Sequence, residues 1–370
     1  MNLPKENKLS KEKDSLRPKL TLLDGSIGQY IRWNGIPNEL EPLYKKIWSS
    51  SVLTDEKYYE ILIKAHIEYI NVGSTIITTN SYAIQPNYYS NAYDEEIYVD
   101  VMYKHAKLSS LLAIEARNKV SAAKDIQVFG SLGPIYEFGQ LAKFQEFLSN
   151  KGQTYCIEFY EKLSSSLYNG GVDGFIVETM NCWDEAFFAL EGIRGTKQKE
   201  NIKDNQLPII LSFQGSLFNE CHEPSPNLLA PSIAQNFIAY FDAHPNMNII
   251  ALGLNCASPE DIASSFEAFF QSKVAATQDK TQNFEDAIKS RNLRLCAYPN
   301  LDDLTKFPPE GFDVSMNYDE FKVEQRKDMV DDDHAGFLKV MKELVRKFDV
   351  TLVGGCCGST PQSIKKLNEL

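Results

Sequence analysis

Three cysteines stand in a pattern that can do chemistry. Cys356 and Cys357 are adjacent inside Gly354-Gly355-Cys356-Cys357-Gly358, and Cys256 lies upstream in Leu254-Asn255-Cys256. Neighbouring side chains can turn toward one ion only across a sharp bend, and the flanking glycines supply the torsions and clearance for it. A three-thiolate set selects zinc, with Zn–S near about 2.3 Å in a tetrahedron, and leaves the fourth position to a substrate. One Zn2+ per chain is therefore expected on Cys256, Cys356 and Cys357. With a formal charge of about −1 on the whole site, the ion would activate water or a carbonyl poorly compared with a histidine-rich one, and it suits the holding of another thiol. A free thiol, with a pKa of about 8.5, is mostly protonated at neutral pH, whereas a metal-bound thiol is deprotonated while its sulfur stays electron-rich. The chemistry expected is attack by a substrate thiolate on an electrophilic carbon. A redox pair or buried small residues are the bland alternatives for the doublet. Cys221-His222 is a weaker alternative ligand pair, and Cys156, Cys182 and Cys296 read as core. The five histidines are scattered and form no metal constellation.

Two carboxylates, Asp24 and Glu178, each end an apolar run, where an uncompensated charge is costly and a partner is needed. Recognition of a substrate ammonium is the functional reading, and a structural ion pair is the alternative. Gly25 follows Asp24 directly. Asn255, just before Cys256, either orients a substrate or satisfies loop backbone groups. Tyr82 and Trp48 either line a pocket for a second substrate or pack in the core.

These residues need elements to bring them together. Eight short apolar runs recur, Leu20–Leu23, Ser74–Thr79, Gln127–Ser131, Gly174–Glu178, Pro208–Phe213, Asn248–Leu254, Leu293–Tyr298 and Val350–Val353. Most are continuous rather than alternating, as parallel strands buried on both faces should be. Between them lie helical spacings such as Thr54–Val72, Glu95–Lys119, Tyr155–Asn169, Ala234–Ala243, Pro259–Gln271 and Phe337–Phe348. Ser258-Pro259 and Thr360-Pro361 are helix-start signals, and the second would aim a helix N-terminus at the cysteine corner. Eight strand–helix units predict an α/β fold, a single (β/α)8 TIM-type barrel over residues 20–370, preceded by a polar tail over 1–19. The chemistry-bearing residues all sit at strand C-terminal ends, where such barrels place their active sites. Gly195–Gln206, Ala275–Arg291 and Asp319–Asp333 read as polar surface insertions, with Asp331-Asp332-Asp333 as a solvated face or a helix start.

Composition narrows the partners. The 370 residues carry 38 Lys+Arg against 50 Asp+Glu, a net charge of −12, and no basic stripe, which argues against nucleic acid and against an anionic membrane surface. A cationic small molecule would be electrostatically welcome. No stretch approaches the ~18 apolar residues of a membrane span, and the first residues lack a secretory signal's apolar core. Seven cysteines, an odd number, suit reduced thiols in the cytoplasm.

The motifs resemble those of the homocysteine S-methyltransferases. The matches are Leu23-Asp24-Gly25, Thr79-Asn80-Ser81-Tyr82, Gly130-Ser131-Leu132-Gly133-Pro134, Asp173 to Thr179, Ser212-Phe213, Gly253-Leu254-Asn255-Cys256, Tyr298-Pro299-Asn300 and Gly354 to Pro361, in family order from about residue 20 to the C-terminus. The resemblance implies a zinc-dependent barrel enzyme that makes methionine from homocysteine. It implies Cys256, Cys356 and Cys357 as zinc ligands, Asp24 and Glu178 as contacts to the amino acid, and Asn255 as their neighbour. Ser26 stands where the family often has a second glycine, which bears on a carboxylate contact from that amide. The resemblance favours a sulfonium methyl donor, S-methylmethionine ahead of S-adenosylmethionine. A betaine-type donor, or a non-catalytic barrel with a structural or redox thiol cluster, is the alternative, and homo-oligomerisation is compatible with either.

Overall fold

Continuous apolar runs pair most readily with one another in parallel, because each then buries both faces between neighbouring strands and covering helices. In the computed structural model this is how all eight are used. The structure describes residues 20–370 apart from 121–124, 137–138, 204, 220, 222, 278–279 and 304–323. The tail over 1–19 lies outside the described residues. The barrel strands are β1 (Thr21–Leu22), β2 (Ile76–Thr78), β3 (Gln127–Leu132), β4 (Gly174–Met180), β5 (Ile209–Gln214), β6 (Ile249–Asn255), β9 (Arg294–Tyr298) and β10 (Val350–Val353). They form one parallel sheet in the order β1-β10-β9-β6-β5-β4-β3-β2. A parallel bridge from Leu23 to Ile76 brings the two edges together, and the Thr75 amide donates to the Leu22 carbonyl at 2.8 Å. The (β/α)8 barrel is thereby confirmed.

Two layers of core follow from the alternation of side chains. Inside the barrel, Leu23, Ile76, Phe129, Ile176, Ile210, Ala251, Cys296, Tyr298 and Leu352 pack against one another. Small Ala251 and Cys296 share that layer with large Phe129, so the interior is filled rather than open. Outside it, the other face of each strand packs on the helices in a larger cluster. Cys156 and Cys296 are buried in these cores, as their positions predict.

Helix signals also act as read. Ser258 caps the helix Pro259–Gln271, its side chain accepting from the Asp261 amide at 3.1 Å, with Pro259 in the first turn. Two expectations need correction. The segment 275–291 is an insertion outside the barrel sheet, as expected, but it has secondary structure and buries apolar residues rather than being polar surface throughout. Strands β7 (Lys273–Thr277) and β8 (Lys280–Asn283) form an antiparallel hairpin, and the helix Phe284–Ser290 buries Phe284, Ala287 and Ile288 at helical spacing, a pattern outvoted in the sequence by the surrounding polar residues. Gly195–Lys199 is the end of the helix Trp183–Lys199, with Thr196 and Lys197 buried. Of 319–333, the part up to 323 lies outside the described residues. Asp331, Asp332 and Asp333 are exposed, as a solvated face should be, and with His334 they interrupt the helix Lys327–Phe348 with non-helical torsions just ahead of the buried Phe337, Met341 and Leu344. Among the described residues no helix is long and apolar enough to cross a membrane.

Truncating the interior layer tests this account. Phe129→Ala should lower the unfolding free energy by about 3–5 kcal/mol in urea denaturation; a loss below about 1 kcal/mol would mean that the barrel interior is not close-packed at this residue.

Candidate active site

Strand β9 lies between β6 and β10 in the sheet, so the loop that leaves β9 can hold the ends of both neighbours. On one side the Cys256 amide donates to the Tyr298 carbonyl at 3.3 Å and the Asn300 amide to Ala257 at 2.8 Å. On the other the Cys356 amide donates to Pro299 at 2.8 Å and the Leu301 amide to Cys357 at 2.8 Å. The outcome is a convergence of sulfurs. The Sγ atoms of Cys256, Cys356 and Cys357 all lie within 4.8 Å of one another, with Cys256 and Cys357 at 3.7 Å. A tetrahedron with metal–sulfur bonds of about 2.3 Å requires sulfurs about 3.8 Å apart, so the donor set fits such an ion. Among the described residues no other group of three His, Cys, Asp or Glu side chains converges in this way. Hydrogen bonds among the sulfurs pull in both directions, and with burial and mutual repulsion added all three thiols are held well above the usual cysteine range. Cys256 has φ +53°, a left-handed conformation that costs a non-glycine residue and is found preferentially at functional sites.

Asp24 follows β1 and is buried. Its carboxylate accepts from the Thr78 amide at 2.8 Å and from the Thr78 hydroxyl at 3.2 Å. Burial still pushes it up to about 8, against the pull of Thr78 and with a push from Glu178. Glu178, on β4, accepts from the Ser131 hydroxyl, and burial raises it to about 7. Neither carboxylate has a cationic partner in the salt bridges of the described residues. Two desolvated carboxyls sharing one cavity are a ready seat for a cation.

That cavity is lined by Asp24, Gly25, Glu178, Cys256, Cys356 and Cys357 together. Six of the seven residues expected at the site thus come together. Gly25 is held against Tyr69 and Ser359, where a Cβ would meet Ser359 Oγ at 2.6 Å. Asn255 is not at the cavity wall. Its amide oxygen accepts from the Thr179 amide at 3.1 Å and the Ser212 hydroxyl at 2.7 Å, and its nitrogen donates to Thr179 Oγ1 at 2.7 Å. Thr179 has φ +62°, at a register shift between β4 and β5, so Asn255 holds the irregular backbone that follows Glu178. Trp48, Tyr82 and Tyr88 form an aromatic part of the wall. Thr78 and Ser131, which orient the carboxylates, were given no role by sequence; their place at strand ends was the available signal. At the start of the helix Pro361–Leu367 the Thr360 and Ser363 amides are taken up by each other's side chains in a capping box, so those two are not offered to the cysteines. Cys221 is exposed, and His222 lies outside the described residues.

The fold and site define a barrel enzyme with a thiol-lined, carboxylate-bearing cavity at its strand ends. The profile of the family described as homocysteine S-methyltransferase matches residues 21–370, and the chain belongs to that family, as a methyltransferase with homocysteine as acceptor. Homocysteine S-methyltransferase 1 of Arabidopsis thaliana is 23% identical over 345 residues, covering 87% of this chain and 86% of that one, and its namesake from Brassica oleracea var. italica gives the same values. The crystal structure of the homocysteine methyltransferase MmuM from Escherichia coli in its metallated form matches the fold with a TM-score of 0.60 at 18% identity, over 98% of this chain and 99% of that chain. Its oxidized form gives 0.56.

The raised carboxyls have a measurable consequence. Both folded values lie above the unfolded ones near about 4, so between these limits the folded chain holds protons that the unfolded chain has released. Stability is full below the unfolded values and is lost as pH rises through 7 and 8. The Tm of the substrate-free protein should therefore fall between pH about 5 and 8, and Asp24→Asn combined with Glu178→Gln should flatten the fall. An equally steep fall in that double variant would assign it to other groups.

Proposed function

We propose that the enzyme carries a methyl group from a sulfonium donor to homocysteine and releases methionine, with zinc on Cys256, Cys356 and Cys357. The single observation that carries the reading is the convergence on one cavity of three sulfurs and two carboxyls that have no cationic partner in the salt bridges of the described residues. Zinc bound there supplies one thing, deprotonation of a coordinated substrate thiol at neutral pH with its sulfur still nucleophilic.

The chain does the rest. Asp24 and Glu178 take the ammonium of homocysteine between them, and their pKa values return toward the usual carboxylate range once a cation neutralises the pair. Thr78 and Ser131 hold the two carboxylates in place, and Asn255 acts through Thr179 on the backbone at Glu178. With the ammonium anchored and the sulfur at the cysteine corner, the acceptor is fixed at both ends. Trp48, Tyr82 and Tyr88 line the cavity where the cationic donor would sit, and a ring face turned to it would contribute about 0.5–2 kcal/mol. Transfer is in line, with sulfur and methyl carbon about 3–3.5 Å apart. The sulfur–methyl bond of the donor breaks as the new one forms, and the donor's electron pair leaves with its sulfur. The product is a neutral thioether, a weak ligand, so release follows from the reaction itself. S-methylmethionine is favoured over S-adenosylmethionine as donor, on the resemblance of the motif set. The role is methionine biosynthesis in a reducing cytoplasm, which the seven free cysteines suit.

Two experiments test the reading. Purified reduced, zinc-replete protein is given homocysteine with S-methylmethionine, S-adenosylmethionine or betaine in separate reactions, and methionine is measured. Turnover with a sulfonium is expected; turnover with betaine alone would replace the donor, and no turnover would favour a non-catalytic thiol cluster. Cys356→Ser should lose bound zinc and turnover together, and full activity in a zinc-free variant would remove the metal from the reaction.

A further inference from the structure

Gln29 is a glutamine of the helix Ile27–Trp33, buried on a different side of it from Ile27 and Ile31, and is only 2% exposed. Hydrophobic packing gives no reason for an amide there. Both ends of it are used. Its oxygen accepts from the Gly358 amide, and its nitrogen donates to Asp302 Oδ2 at 2.6 Å. Asp302, 1% exposed, comes from the loop after β9, where its own amide donates to Asn300 Oδ1 at 2.7 Å. Gly358 is the residue after Cys357. It has φ +74°, and a Cβ on it would fall 2.4 Å from the Asp302 nitrogen. Its carbonyl accepts from Gln325 Nε2, while the Cys357 carbonyl accepts from Leu301. Three distant stretches of chain thus grip the peptide on which the last sulfur hangs.

Among the described residues Asp302 Oδ1 has no hydrogen-bond partner. A buried acceptor left unpaired lowers stability, so a carboxylate at this position is poor scaffolding, and such residues are retained where a site needs them.

We infer that Gln29 and Asp302 form a positioning clasp that fixes the backbone after Cys357 and so sets the metal affinity of the three-sulfur site. The inference rests on the reading of that site as a zinc centre and extends it to residues outside the ligand set. Partners of this kind, one step behind the ligands, are known to govern affinity because they decide whether the donor atoms are already in place before the ion arrives. The clasp acts on geometry, through a hydrogen-bonded chain from the first helix to the last strand's loop, and Asp302 needs its Oδ2 as an acceptor for that purpose.

The test measures zinc affinity by competition with a chromophoric chelator, and the rise in Tm on adding zinc, for the full-length protein. Asp302→Ala should weaken zinc binding about 10- to 100-fold and shrink the zinc-induced rise in Tm, since that rise reports affinity. Asp302→Asn keeps an acceptor for Gln29 and should stay close to the wild type. Gln29→Leu carries the test if Asp302→Ala does not fold, and where both fold the double variant should lose little more than either single one. Equal lowering of Tm with and without zinc, at unchanged zinc affinity, would reduce the clasp to packing. Losses in Asp302→Asn as large as in Asp302→Ala would replace positioning by charge. A wild type that binds no zinc would overturn the zinc reading itself, and the clasp with it.

Discussion

The parallel ladder β6–β9–β10 is the constraint on which the site depends. Neighbouring strands in a parallel sheet are about 4.8 Å apart, so the ends of β6 and β10 are two such spacings from one another. That gap is too wide for their cysteines to meet without help. The loop after β9 supplies it, donating and accepting backbone hydrogen bonds on both sides, from Tyr298 and Asn300 toward Cys256 and Ala257, and from Pro299 and Leu301 toward Cys356 and Cys357. The left-handed turn at Cys256 and the glycine-flanked turn at the doublet then aim the sulfurs inward. Every further property of the site presupposes this stitching.

Around it the protein keeps several arrangements that a purely stable barrel would avoid. Cys256 and Thr179 sit in left-handed backbone, and Asp24 and Glu178 are carboxyls raised by burial with no cation to offset them. Each has a local support. Asn255 holds Thr179, Thr78 holds Asp24, and Ser131 holds Glu178. These supports orient the groups without neutralising them. The filled interior beneath, from Leu23 to Leu352, makes such a site rigid enough to retain its geometry while empty of substrate.

Much of the site is legible in the sequence because barrels confine chemistry to strand C-terminal ends. Asp24, Glu178, Cys256 and the Cys356-Cys357 doublet all stand directly at the ends of apolar runs, and the runs differ from the observed strands mainly at their edges. Asn255 illustrates the limit. It has the right address and faces sideways into Thr179 and Ser212, because the register shift between β4 and β5 needs an anchor there. The hairpin and helix over Lys273–Ser290 escape sequence reading for a different reason. Their few buried residues, among them Val274, Phe284 and Ile288, are embedded in polar neighbours that dominate any average over the segment.

The sequence by itself determined the class of fold and the presence of three thiols and two carboxylates at strand ends, since these follow from local composition and from the period of the apolar runs. Only the tertiary structure decided which of those residues meet. The distance between Cys256 and Cys357, the seating of Asp24 on Thr78 and of Glu178 on Ser131, and the bridge that Gln29 makes between Asp302 and Gly358 join positions far apart in the chain. They depend on strand order and backbone register, quantities that arise from packing the whole barrel and that no local stretch of sequence encodes.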